Sequence, residues 1–407
     1  MTSLNQQERH LIAIQGLDFF VTGLSWIFVT VFLFAHSDLR TTVLFQLWNY
    51  TSTLLFFELS GWSLRKFSSA AHMKVGVAVG ALFYFLLFVL KGQTVTYLVP
   101  LAILNGFGSG IYWAAYNLNQ YAFSNETSRE KYFGLSGAVA SFLSAAAPFL
   151  GGLIIAVAAR ITHGVMAGYA TLFFIVFVLL GYMAFFIGKL PGHEMPEFSY
   201  RHMFTRHRSR GWTLVLWQHA LLGMYDVALG TVTGILFYLI LKSEVWIGAA
   251  QAVGYILGTI GGVVCAKLLA KHHEYFWVGA VGLSASLLLF ALWQTPIGLG
   301  IFVVVSGFTN PFLTTWTFSV WFQTMDAVRD HFTTKYHMLL ERDFALGISR
   351  IASLAFLYVF LAYGNQETLA KDWLYMLPVL PLGIGLLLHL SGRPSVILAE
   401  SEIPHGA

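Results

Sequence analysis

Two aspartates interrupt stretches that are otherwise almost wholly apolar: Asp18 in Gln15-Gly16-Leu17-Asp18-Phe19-Phe20, and Asp226 in Gly223-Met224-Tyr225-Asp226-Val227. An ionised aspartate at the centre of a lipid-spanning helix costs about 2.5–3.5 kcal/mol on insertion scales, so it normally faces a counter-charge, water or a solute pathway. Binding and releasing a proton is one chemistry open to such a group. A hydrogen bond to a neighbour, for example Thr22 or Tyr225, is the structural alternative. A second charged pair is Glu58, one turn before its apolar stretch ends, and Arg350, two turns into its own. Opposite charges lower the cost of dry burial for each other. Arg350 has Asp343 and Asp226 as rival partners, and Glu58 has Arg65 and Lys66.

Polar and aromatic side chains recur in the same apolar setting: Asn49, Tyr50, Asn105, Tyr112, Trp113, Asn117, Gln120, Gln218, His219, Gln251, Tyr255, Asn310, Trp316 and Trp321. Asparagine and glutamine in such places either face a solute or hydrogen-bond between helices, typically for under about 1 kcal/mol. Few cations accompany them. A pocket so built suits an apolar, neutral or cationic organic solute and suits a sugar phosphate poorly, since phosphate recognition favours clustered arginines.

The elements that carry these residues are membrane-spanning helices. The sequence is 57% hydrophobic and 10% charged, far from an ordinary soluble domain. A helix needs about 20 mainly apolar residues to cross a bilayer. Such stretches are expected at roughly 11–35, 41–63, 74–91, 96–121, 131–158, 165–188, 212–241, 246–268, 275–293, 297–324, 343–363 and 371–391. That is an all-α protein of twelve spans, with none of the short alternating segments of a β-barrel. Basic residues fix the expected orientation. With the N-terminus cytoplasmic, seventeen fall on the inner side, from Arg9 to Arg393 and including Arg129, Lys131 and Arg329, against five outside: Arg40, Lys91, Arg160, Lys242 and Lys371. Both termini are therefore expected inside, in a plasma membrane. The net charge of +4 reflects this bias and does not argue for nucleic acid.

Several chemistries are not indicated. The single cysteine, Cys265, permits no intrachain disulfide. No Gly-x-x-x-x-Gly-Lys-Ser/Thr loop for ATP, no His-Glu-x-x-His helix and no Gly-x-Ser-x-Gly elbow is present. No cofactor or metal is expected, and His272-His273-Glu274 reads as a solvated loop. The polar start, Met1 to His10, runs into the first span without a cleavage site and reads as a retained helix.

The chain divides near its middle. Pro191-Gly192-His193-Glu194-Met195-Pro196-Glu197, continuing to Arg206-His207-Arg208-Ser209-Arg210, is the least apolar stretch and is expected to be a solvated linker near anionic lipid. It separates a six-helix lobe at 1–190 from a second at 212–393, with the linker at 191–211 and a cytoplasmic tail at 394–407. The halves match in places. A shift of 201 residues puts Gly61 on Gly262, Lys66 on Lys267, and Gly106-Phe107 on Gly307-Phe308; with differences in loop length allowed, Asp18 meets Asp226, and Glu130-Lys131-Tyr132-Phe133 meets Glu341-Arg342-Asp343-Phe344. Such repetition is a mark of transporter folds.

Six plus six helices around a central linker resemble the major facilitator superfamily over the whole chain. After span two that family has Gly-x-x-x-Asp-Arg-x-Gly-Arg/Lys-Arg/Lys, and this chain has Gly61-Trp62-Ser63-Leu64-Arg65-Lys66-Phe67-Ser68-Ser69-Ala70. Gly61 and Lys66 fit, whereas Arg65 replaces the acid. Pro148-Phe149-Leu150-Gly151-Gly152 is similar to the end of a motif associated with antiporters. The resemblance implies two lobes related by a pseudo-two-fold axis, rocking about a central site.

It further implies a substrate cavity to which Asn49, Tyr50, Tyr112, Trp113, Asn117, Gln251 and Asn310 contribute. Asp226 and Asp18 are then the coupling or substrate carboxylates. Glu58 and Arg350 become a cytoplasmic gate, since spans two and eleven would face each other. The small-residue stripes Gly254, Gly258, Gly262 and Gly137, Ser141, Ala145 would lie where spans eight and five cross between lobes. The function expected is proton-coupled export of a small organic solute by a monomer, without ATP. A lipid flippase and a non-transporting membrane sensor are the alternatives left open.

Overall fold

A computed structural model describes residues 4–123, 129–195, 197–328 and 332–391. The tail at 394–407, Arg393, Arg329 and the side chains of Arg129, Glu130, Lys131 and Phe133 lie outside what is described. The first lobe comprises α1 (Gln6–His36), α2 (Leu39–Ser63), α3 (Ser69–Leu90), α4 (Leu98–Phe123), α5 (Arg129–Thr162) and α6 (Val165–Ile187). A short helix α7 (Tyr200–Thr205) lies in the linker. The second lobe comprises α8 (Arg210–Leu241), α9 (Glu244–Leu269), α10 (Phe276–Leu292), α11 (Pro296–Ala327), α12 (Phe332–Phe360), α13 (Gln366–Met376) and α14 (Val379–Ser391).

Eleven helical segments among the described residues are long and apolar enough to cross a membrane, α13 and α14 counting as one. The twelfth span is α2, whose 25 residues carry Arg40, Gln46, Asn49 and Glu58 and so fall short on hydropathy, not on length. The chain is a multi-span membrane protein. One boundary difference matters: the helix of span eleven begins at Phe332, so Glu341 and Arg342 lie inside α12, not ahead of it. Span twelve is broken at Leu377-Pro378, where the proline has no amide donor, whereas Pro148 and Pro311 sit inside continuous helices.

The two lobes repeat one packing scheme. In the first, α2 packs on α4, α1 on α5, α3 on α4 and α3 on α6; in the second, α9 packs on α11, α8 on α12, α10 on α11 and α10 on α14. The glycine match has a physical basis in this scheme. A Cβ at Gly106 would stand 2.3 Å from the Asn49 carbonyl on α2, and one at Gly307 would stand 2.7 Å from the Gly254 carbonyl on α9. Both glycines seat the fourth span of a lobe directly on the backbone of its second.

The lobes meet along α5 with α9 and along α2 with α12. At the end away from the linker, the α5–α9 seam is tight. A Cβ on Gly152 would stand 2.3 Å from the Glu244 carbonyl, and one on Gly248 would stand 2.2 Å from the Pro148 carbonyl. Toward the linker the seam loosens: nothing lies within 4 Å of a Cβ built on Gly137. The α9 stripe does not form the seam as expected. Gly254, Gly258 and Gly262 face Val303, Gly307 and Pro311 of α11, within their own lobe. Helical spacing shows that a stripe exists, not which neighbour it meets.

The α2–α12 seam runs the length of both antiparallel helices. From the far end it passes from Arg40 over the Tyr358 ring at 4.3 Å, through Tyr50 with Arg350 and Leu54 with Gly347, to Gly61 with Leu340. Most of the linker's described residues are exposed, but three of its side chains are not. Met195, Phe198 and Met203 are buried, the Met195 amide donates to the Leu64 carbonyl, and the Ser199 amide donates to His337 Nε2 at 3.0 Å. It straps the linker end of both lobes.

Candidate functional site

Asp226 sits midway along α8 and Arg350 midway along α12, and the packing of those two helices brings them together. Arg350 Nη2 donates to Asp226 Oδ2 at 2.5 Å. Of the alternatives left open by the sequence, Arg350 thus takes Asp226 and not Glu58 in this conformation. The pair is deep in the protein yet unsealed, with side-chain exposures of 24% and 49%. Tyr50 of the opposite lobe lies over the guanidinium at 5.2 Å, so the exposed surface faces the space between lobes. Tyr255 of α9, itself 41% exposed, is within electrostatic reach of Asp226. A cation, an anion and two phenols drawn from both lobes therefore share one mid-bundle site. Such a site offers donors and acceptors together, with aromatic faces beside them.

Asp18 is placed differently from its repeat mate. Among the described residues it has no hydrogen-bond or ion-pair partner, and it is only half-buried. Its surroundings are tyrosines: Tyr84 of α3 and Tyr112 and Tyr116 of α4 lie within electrostatic reach. The Tyr84 hydroxyl is engaged with Ser25 at 2.6 Å, whereas the buried Tyr112 hydroxyl has no partner. No cation among the described residues balances this carboxylate.

The remaining candidates separate into two kinds. Asn49 is buried and accepts from Asn105 Nδ2 at 2.8 Å. That bond ties α2 to α4, so Asn49 has an interhelical packing role. Tyr112 is buried too, and Trp113 packs on Tyr112 and Tyr116 with ring centroids 5.4 Å apart in each case. By contrast Asn117 and Gln251 are half-buried and Asn310 is exposed, and none has a side-chain hydrogen bond among the described residues.

Glu58 does not reach Arg350. Both of its carboxylate oxygens are buried without a partner, and its main-chain oxygen accepts from the Tyr200 hydroxyl of the linker. Sequence reasoning also passed over Glu341, which accepts from Arg206, Arg208 and, at 2.8 Å, the Trp212 indole. Three adjacent charged residues, Glu341-Arg342-Asp343, were the available signal. Hydropathy places such a run in solvent, but here its members are paired: Arg342 donates to Asp343 at 2.9 Å and lies 3.8 Å over the Trp321 ring.

Away from the linker the lobes are joined by polar contacts. Gln366, at the start of α13, accepts from the Arg40 amide and donates to Asp38, each at 3.0 Å. On the other flank the Tyr169 hydroxyl donates to Glu244 at 3.0 Å. Burial pushes the Asp38 carboxyl up, but its bonds with Thr41 and Gln366 and the Arg40 charge outweigh that and hold it below the usual carboxylate range.

No protein-family model matches this sequence. An uncharacterised Bacillus subtilis protein, YqgE, is 23% identical over 355 residues, covering 84% of this chain and 80% of the relative. Two solved structures share the architecture. A variant of the nucleoside transporter NupG superposes with a TM-score of 0.69 at 13% identity, covering 95% of this chain and 100% of that one. The major facilitator superfamily transporter FucP, in its outward conformation, gives 0.66 at 14% identity, covering 96% and 100%. At these identities the likeness establishes the fold.

Proposed function

We propose that this chain, a twelve-helix membrane protein with the major facilitator fold, is a secondary transporter that moves a small organic solute by alternating access. The observation that carries this reading is the Asp226–Arg350 pair. It stands at mid-span, open to the space between lobes, and is touched by Tyr50 of the opposite lobe. A residue set drawn from both lobes changes its geometry whenever the lobes rock, so solute binding and lobe motion are linked. Asp226 accepts and Arg350 donates, and Tyr50 and Tyr255 supply aromatic faces. A neutral, ring-bearing solute with hydroxyl or amide groups fits this set, and a nucleoside, the solute of the transporter NupG, is of that kind. A simple cation fits less well than the sequence alone suggested, because Arg350 already neutralises Asp226.

Proton coupling is assigned to Asp18. An uncompensated carboxylate in a low-dielectric interior costs several kcal/mol, and a proton removes that cost. The basic-residue bias supports a plasma-membrane protein with its linker end and both termini in the cytoplasm. The sequence Pro148-Phe149-Leu150-Gly151-Gly152, lying where α5 meets α9, supports export in exchange for protons.

The test is a proteoliposome transport screen over labelled nucleosides, sugars and neutral heterocycles, with and without a pH gradient. At least one class should move in the gradient, and Asp226→Asn should reduce its rate by about tenfold or more, the loss of one charge-assisted bond. Equal rates in Asp226→Asn and the unmodified protein would remove the assigned role.

A further inference from the structure

Four buried oxygens without a hydrogen-bond partner gather at one place on the α2–α12 seam: both carboxylate oxygens of Glu58, Asp343 Oδ2 and the Tyr336 hydroxyl. The register of the two antiparallel helices places them together. Glu58 lies three residues before Gly61, which meets Leu340, and four after Leu54, which meets Gly347. Asp343 lies three after Leu340 and four before Gly347, so the two acids stand opposite each other across the lobes. Asp343 acts electrostatically on Glu58, and Tyr336, only 2% exposed, is within reach of both. The linker covers the place: Phe198 packs on Tyr336 at 5.7 Å and against Gly61, and the Tyr200 hydroxyl holds the Glu58 main chain.

The donors present do not satisfy these atoms. Ionised carboxylates only accept, so two of them facing each other repel and leave acceptors empty. Asp343 has its counter-charge in Arg342, bonded to its other oxygen. Glu58 has none, since Arg350 is held by Asp226 and Arg65 and Lys66 are exposed. The groups that face Glu58 are Asp343 and Tyr336 from α12 and Tyr200 from α7, while Arg342 and Arg350 act on Asp343. One added proton completes the set: Glu58 as the acid donates to Asp343 Oδ2, and the Tyr336 hydroxyl donates to the remaining Glu58 oxygen.

We propose that Glu58 and Asp343 form a proton-binding site across the lobe interface, distinct from the Asp226–Arg350 site, which holds the linker ends of α2 and α12 together when filled. Release of the proton to water leaves two carboxylates in opposition and drives the seam apart. The proposal does not depend on what the chain transports.

The test uses the full chain in nanodiscs, with spin labels at Arg65→Cys and Lys271→Cys in a Cys265→Ala background, the two labels standing on opposite lobes at the linker end. Between alkaline and acidic pH the unmodified protein should shift toward the shorter label distance. Glu58→Gln should stay at the short distance throughout, and Asp343→Asn, the second variant, should also lose its pH dependence. Infrared difference spectra of label-free protein provide a readout without motion: a protonated-carboxyl band should be present in the unmodified protein and absent in Glu58→Gln. Full pH dependence in Glu58→Gln, or an unchanged band, overturns the proposal. So does a sodium titration at alkaline pH that shortens the distance only when Glu58 is present, because the ligand would then be a metal cation.

Discussion

Arg350→Leu should abolish solute movement while the protein still inserts and purifies. Removing one member of a hydrogen-bonded charge pair at a binding site costs about 2–5 kcal/mol, at least about 30-fold in rate or affinity. Stability should fall less. Breaking a sealed pair costs about 3–5 kcal/mol, but Asp226 keeps 49% of its side-chain surface, so solvent screens much of that and the loss should be on the order of 1–2 kcal/mol. The double variant Asp226→Asn with Arg350→Leu separates the two effects. It should regain most of the thermal midpoint lost in Arg350→Leu, because no unpaired charge remains, yet it should stay inactive. A double variant that recovers transport along with stability would reduce the pair to a structural bond within the second lobe.

Asp18→Asn should uncouple rather than inactivate. The carboxylate has no cation or donor among the described residues, and its neighbours are the phenols of Tyr84, Tyr112 and Tyr116. An amide there needs no proton to be tolerated in the low-dielectric interior. Movement driven by a pH gradient should therefore drop by about tenfold or more, one lost protonation step being worth at least about 1.4 kcal/mol, while solute exchange without a gradient persists. The thermal midpoint should hold or rise. Retained gradient-driven movement in Asp18→Asn would shift the coupling role to another group, with Glu58 the first to examine.

How much of this was legible in the sequence depends on whether one residue or a neighbour relation was being read. Twelve spans and two lobes follow from runs of apolar residues, α2 among them despite its polar side chains. The start of α12 does not, because Glu341 and Arg342 look solvated until their partners are known. The linker's charges and exposure are visible in the sequence, but Phe198 fitting over Gly61 is not. Arg350 was seen to need an acid, and only the packing of α8 on α12 selected Asp226 over Asp343 and Glu58. Asn105 donates to Asn49 across two helices; a polar type in a span cannot reveal that its partner is another helix.

The central claim, a site between lobes that opens alternately to each side, is tested most directly by accessibility at Gln251. A Gln251→Cys variant in the Cys265→Ala background would be reacted with a membrane-impermeant thiol reagent, separately from each face of oriented vesicles. Alternating access predicts labelling from both faces, with the balance between them shifted by a transported solute. Labelling from one face alone at every pH and with every solute tried would contradict it.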